Sequence, residues 1–161
     1  RLAIAEPKSV GEILDELAAR WRTRAAAKAK LVMVDVDDPT MQVPHTPQLD
    51  LAIEELLANA VEHADPGMIQ LRASQDLLGR TRIGVLDEGP GIDDELRSTD
   101  RLLEPGSVTT RTADGLGIGL AFARRIAQCH DGTLTLERNA AGGTSAWLTV
   151  GGTITAGQSR R

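Results

Sequence analysis

The chain has 161 residues, enough for one domain with its own core, and 41% apolar with 25% charged residues is an ordinary globular balance. Aromatic residues make up only 2%, so the core has to be aliphatic, and base-stacking readers of single-stranded nucleic acid are excluded. A net charge of −5 leaves no electrostatic footprint for nucleic acid, and a single cysteine, Cys129, allows neither an internal disulfide nor a zinc cluster.

The chain opens on Arg1 and not Met, as a segment of something longer would, and residues 1–8 read as a lead-in. Ser9 and Glu12 match a capping box, and Val10, Ile13, Leu14, Leu17, Ala18 and Trp21 then recur at helical spacing to about Arg24. The cations Arg20, Arg22, Arg24, Lys28 and Lys30 gather at the end of this helix, and a solvated patch complementing its dipole is the expected reading. Residues 31–36 are β-branched and read as a strand, with a short second strand over 41–43 before Pro44 and Pro47. Helical period returns from Gln48 to Ala64 and breaks at Asp65-Pro66-Gly67. Residues 68–74 and 81–86 form a hairpin about Gly79, and Ser98 to Asp114 reads as a long loop, a length typical of lids and binding loops. A helix over 121–130, strands over 133–138 and 144–150, and a polar tail over 151–161 complete the chain. This order predicts an α+β fold, a sheet with its helices segregated to one face.

Three stretches can carry chemistry. On the helix from Gln48, residues Ile53, Leu56, Leu57, Ala60 and Val61 make a core stripe, while Glu55, Asn59, Glu62 and His63 gather on the opposite side. That side is either a solvated face or an ion site. Glu55 and Asn59 at i and i+4 address one small volume, and an amide oxygen is a hard neutral ligand suited to magnesium that also holds phosphates. Asp87-Glu88-Gly89-Pro90-Gly91 follows an apolar strand, and is either a plain turn or a site whose carboxylate accepts the exocyclic amine of adenine. Gly115-Leu116-Gly117-Ile118-Gly119 runs into a helix. It is either a flexible loop or a phosphate cradle, since a helix start offers unsatisfied N–H groups and glycine permits close approach. Neither the P-loop nor the dinucleotide fingerprint fits its spacing.

Taken together, Glu55-Leu-Leu-Ala-Asn59-Ala-Val-Glu-His63, Asp87-Glu-Gly89-Pro-Gly91 and Gly115-Leu-Gly117-Ile-Gly119 resemble the asparagine box and two glycine boxes of the GHKL ATP-binding domain. Within that family the likeness is to the catalytic domain of bacterial sensor histidine kinases, and it runs from about Ser9 to Val150. The resemblance implies a Bergerat fold: a two-layer α/β sandwich with a mixed, mostly antiparallel sheet, three helices on one face and a long ATP lid over about 98–114. It implies ATP and Mg2+ as ligands, with Asn59 on the metal, Asp87 on the adenine amine, and Gly89 and Gly91 shaping the base pocket. Gly115, Gly117 and Gly119 would close over the phosphates, with His63 near them and Arg111 or Arg101 as a lid cation. Glu55 takes the position of a general base or nucleophile-positioning group.

The implied activity is transfer of the ATP γ-phosphoryl group to a histidine on a dimerisation domain, then to a response regulator. The expected setting is the cytoplasm, without direct contact to membrane or nucleic acid. An anti-sigma-factor type serine kinase, which Glu55 also suits, and a non-catalytic ATP-binding regulator are the alternatives. The chain departs from the family where Glu62 replaces a common basic residue, where Asp131 replaces a usual glycine, and where Leu102 and Leu103 stand in place of a phenylalanine before the lid. None of His45, His63 and His130 sits in a phosphoacceptor context, so the acceptor is expected elsewhere, and His45 and His130 are expected to be structural or surface residues.

Overall fold

The structure is a computed structural model and describes residues 5–88, 116–140 and 142–151. Its element order is β1 (Glu6–Ser9), α1 (Val10–Ala27), β2 (Lys30–Val36), β3 (Gln42–His45), α2 (Pro47–His63), β4 (Gly67–Gln75), β5 (Thr81–Leu86), α3 (Leu116–Cys129), β6 (Thr133–Arg138) and β7 (Thr144–Val150). Five strands form one sheet in the order β2-β4-β5-β7-β6, while β1 and β3 pair as a separate two-stranded ribbon. Only β2 and β4 run parallel, as a crossover through α2 requires; the other pairs are antiparallel. The mixed, mostly antiparallel sheet and three helices are the sandwich expected from the sequence.

Register explains the core. Leu71, Val85, Ala146 and Leu136 lie side by side across four strands, and Ala73, Ile83, Leu148 and Leu134 form the next row. All eight are buried, because side chains two apart on a strand share a face. Against these rows pack Ile13, Leu14 and Leu17 of α1, Ile53, Leu56, Leu57, Ala60 and Val61 of α2, and Ala123, Ile126 and Ala127 of α3. On the opposite face Trp147 lies against Gly84, where a Cβ would come within 2.5 Å of the indole, and the Arg82 guanidinium sits 4.3 Å from its ring centroid.

Local signals place the helix starts. The Ser9 hydroxyl accepts the Glu12 N–H at 3.4 Å, and the Thr46 hydroxyl accepts the Leu49 N–H at 3.1 Å with Pro47 opening α2. Such caps are worth about 1 kcal/mol each. Several boundaries differ from the sequence expectation, among them β3, which runs from Gln42 to His45 through Pro44 instead of stopping before it. The lead-in over 1–8 contains a strand from Glu6, whose Pro7 pairs opposite Pro44. A two-stranded ribbon tolerates both prolines because each strand keeps an edge that makes no ladder bonds. Helix α1 continues to Ala27, three residues past Arg24. Helix α3 begins at Leu116, five residues before the expected start, so Gly117 and Gly119 belong to its first turn and do not precede it. The β4–β5 hairpin turns at Gly79 as expected, with φ of 75°.

The candidate nucleotide site

Helix α2 carries Glu55, Asn59 and His63 one turn apart, all half-buried, with His63 at the edge of the core stripe, two turns on from buried Leu56. Helix α3 packs beside α2, and the contact is close at Gly119: a Cβ there would lie 2.6 Å from Glu55 Oε2. Glycine at 119 is what lets the Glu55 carboxylate reach the first turn of α3. Asparagine box and glycine box therefore meet at a defined pair of residues.

Glu62 does not join this face. Its carboxylate turns toward α1, with Oε1 2.6 Å from Arg24 Nη2 and Oε2 2.8 Å from Lys28 Nζ. Lys28, and after it Arg24, hold the Glu62 carboxyl below its usual range against the opposing effect of burial. Nearby, Arg20 pairs with Glu54 at 3.2 Å and the Trp21 indole N–H donates to the same carboxylate at 3.4 Å. The basic end of α1 is thus a clasp onto α2 and not a purely solvated patch. The acidic residue at position 62 is explained by the cations it meets across the helix pair.

Lys30 departs further from the solvated reading. It is only 6% exposed, and its ammonium donates to the carbonyl oxygens of Ala60, at 3.3 Å, and Val61 in the last turn of α2. A cation at a helix C-terminus is favourable to the backbone dipole. Burial pushes Lys30 below its usual range, with Lys28 adding to the push and Glu62, Asp87 and Asp65 opposing it.

Asp87 follows β5 and is held from the neighbouring hairpin. Its N–H donates to the Thr144 carbonyl at 2.9 Å, and the Thr144 N–H donates back to Asp87 Oδ1 at 3.1 Å. The Asn139 side-chain amide donates to the Asp87 carbonyl at 2.7 Å. Asn139 lies between two predicted strands, and Lys30 was expected only as surface charge; both act across long sequence separations that no local pattern records. Gly89, Gly91, Arg101, Arg111, Gly115 and the expected lid over 98–114 lie outside the described residues.

The other histidines have structural partners. His45 Nε2 lies 2.9 Å from Asp50 Oδ1, and His130 Nε2 lies 3.1 Å from the Thr46 hydroxyl that caps α2. Burial pushes the His130 imidazole below its usual pKa, with Asp131 opposing. Among the described residues no three His, Cys, Asp or Glu side chains converge on a metal position. The donor set fits instead a magnesium ion that arrives with a nucleotide, since such ions take one or two protein oxygens and complete their shell with phosphates and water. Asn59 offers one such oxygen.

Comparisons with known proteins identify the family. The profile of a family described as histidine kinase-, DNA gyrase B- and HSP90-like ATPase matches residues 45–153. The sensor-type histidine kinase PrrB of Mycobacterium leprae is 34% identical over 146 residues, covering 89% of this chain and 31% of that protein. The C4-dicarboxylate transport sensor protein DctB of Rhizobium meliloti is 30% identical, covering 88% and 23%. The chain thus spans about a third or less of these curated relatives. Among solved structures, the ATP-binding domain of PrrB from Mycobacterium tuberculosis is 26% identical with a TM-score of 0.71, covering 92% of this chain and 97% of that one. Full-length ShkA in complex with AMPPNP is 26% identical with a TM-score of 0.80, covering 97% and 32%. The chain belongs to the histidine kinase-, DNA gyrase B- and HSP90-like ATPase family, within which it corresponds to the ATP-binding catalytic domain of sensor histidine kinases.

Proposed function

We propose that this domain binds ATP with magnesium and transfers the γ-phosphoryl group to a histidine on a dimerisation domain, in the same full-length protein or a separate one. A response regulator would receive the group next, and the reaction would take place in the cytoplasm. The supporting observation is the meeting of Glu55 with Gly119 at the start of α3, on the helix that also presents Asn59 and His63.

Phosphoryl transfer asks a protein mainly for positioning and charge neutralisation. In this reading the unit spans residues 9–150, followed by a polar tail over 151–161. Asp87 accepts the adenine amine, and Gly89 and Gly91 shape the turn beneath the base. The first turn of α3, with Gly117 and Gly119 after Gly115, directs backbone N–H groups at the phosphates. Asn59 would hold the magnesium, which when bound would supply neutralisation of phosphate charge. In the same reading His63 would lie beside the phosphates, residues 98–114 would serve as the lid, and Arg111 would contribute its cation. Glu55 orients the attacking imidazole of the partner.

The test is to incubate the chain with Mg-ATP and a histidine-bearing dimerisation domain. Acid-labile phosphate on the partner is expected, reduced on the order of a hundredfold by Asn59→Ala, as loss of a group that stabilises transferring charge predicts. Undiminished transfer by Asn59→Ala would remove the metal role. Acid-stable phosphate on a partner serine would replace the histidine kinase reading with the serine kinase one.

A further inference from the structure

We propose that Asn139 is a positioning residue that sets nucleobase selectivity by fixing Asp87. This rests on the reading of Asp87 as acceptor of the adenine amine.

The argument begins with what a base-reading carboxylate needs. Asp87 directly follows the last strand residue, Leu86, at the end of the β5–β7 ladder. A carboxylate on a mobile backbone would select poorly, because discrimination depends on donor and acceptor being aligned before the base arrives. The β6–β7 turn supplies that alignment. Thr144 makes two bonds to Asp87, one to its N–H and one to Oδ1. These fix the strand pairing and one carboxylate oxygen, and leave the Asp87 carbonyl to be held by something else.

Asn139 holds it. One amide group donates to the Asp87 carbonyl at 2.7 Å and to the Thr144 carbonyl at 3.2 Å, bridging the ends of the two paired strands. The same side chain is immobilised from behind, because its Oδ1 accepts the Gly143 N–H at 3.0 Å. Its backbone N–H donates to the Gly143 carbonyl at 2.9 Å, and its carbonyl accepts the Gly142 N–H at 3.0 Å. Asparagine is chemically suited to this post. It needs a donor facing Asp87 and an acceptor facing the turn, and a side-chain amide carries both. Asp lacks the donor, and Ser is too short to offer both groups in these directions.

Gly143 makes the same point from the other side of the contact. A Cβ on Gly143 would lie 2.0 Å from the Asp87 carbonyl oxygen and 2.8 Å from Oδ1. The turn is therefore built to press its backbone against Asp87, and any side chain at 143 would displace it. Two independent features of one turn, an amide donor and a missing Cβ, converge on the position of a single residue.

The experiment measures Kd for ATP, GTP and purine riboside triphosphate, which lacks the exocyclic amine, on the parent chain and on Asp87→Asn, Asn139→Ala, Asn139→Asp and Asn139→Ala/Asp87→Asn. Thermal unfolding of each is followed alongside. Asn139→Ala is expected to weaken ATP about tenfold, the size of one lost hydrogen bond, while leaving the two other nucleotides within about twofold. The ATP preference then falls, and the double variant selects no worse than Asp87→Asn alone. A purely structural role would lower the melting temperature and weaken all three nucleotides equally, which would overturn the inference. Asn139→Asp keeps the acceptor for Gly143 and removes the donor to Asp87; it carries the same criterion if Asn139→Ala does not fold. Preserved selectivity in both Asn139 variants, with selectivity lost in Asp87→Asn, sinks the role of Asn139 alone. Preserved selectivity in Asp87→Asn sinks the adenine reading, and this inference with it.

Discussion

Among the described residues, two that are not glycine take left-handed backbone angles, Ala29 at φ 57° and Asp131 at φ 55°. Each closes a helix and turns the chain into a strand, α1 into β2 and α3 into β6. An L-residue in this region costs roughly 1–2 kcal/mol, less for Asp, whose short polar side chain tolerates it. The structure so explains why glycine is usual in the family at position 131 and why Asp can stand there. Position 132 is different: a Cβ on Gly132 would lie 1.5 Å from the Thr149 carbonyl, so the order Asp131-Gly132 cannot be reversed. Ala29→Gly is expected to raise stability by about 0.5–1 kcal/mol, the strain relieved less the entropy of the freer unfolded chain. Asp131→Gly should gain less. Urea denaturation checks both, and a lower midpoint for Ala29→Gly would contradict the assignment of strain. Position 131 was marked in the sequence by the departure from glycine; position 29 was not, since alanine carries no mark of the angle it is made to adopt.

At the scale of elements, the periodic segments were legible and their joins were not. The core stripe of α2, the 81–86 strand and the 68–74 strand were all readable because period and burial coincide there. The early start of α3 escaped because two glycines and flanking aliphatics give no helix signal, although packing against α2 holds them helical. Lys30 escaped for a related reason: adjacent to a basic run it reads as surface, and only the fold puts it beneath α2. Lys30→Met removes both bonds to the last-turn carbonyls of α2, and is expected to cost about 1–3 kcal/mol and to weaken ATP by loosening the helix that bears Asn59 and His63. Denaturation and ATP titration together test this; full stability in Lys30→Met would show that the bonds are replaced. A second junction joins α3 to α2 through His130 and Thr46. Burial lowers the His130 pKa from 6.5 in the folded state, so the unfolded chain takes up its proton first as pH falls. Stability from this group is fully present above pH 6.5 and declines as pH drops from there toward the lowered folded value. His130→Gln should therefore flatten the fall in melting temperature between neutral and mildly acidic pH. An unchanged slope would assign the fall to other groups.

The molecule as a whole is a sandwich in which α2 packs beside α3, with a clasp of ion pairs from α1 steadying α2 from behind; the proposed chemistry uses residues of α2, the start of α3 and the end of β5. The three motifs were legible because each places rare combinations of residues in fixed order; their supports, Asn139 and Lys30, were not, because each acts on a residue about 30 to 50 positions away. This architecture also decides what the chain can do by itself. All three histidines are accounted for within the fold: His45 against Asp50, His130 against the cap of α2, and His63 half-buried in the last turn of the same helix that carries Asn59. An imidazole attacking the γ-phosphoryl must approach in line with the leaving oxygen, and residues that build or brace the site cannot also enter it from outside. The chain incubated alone with labelled Mg-ATP is thus expected to bind nucleotide and to acquire no acid-labile phosphate. Adding a dimerisation domain should make labelling appear on that domain, with a rate that depends on its concentration. Acid-labile label on the chain alone, removed by substituting His45 or His130, would mean that the acceptor lies within this fold and that its histidine contacts open to let it in.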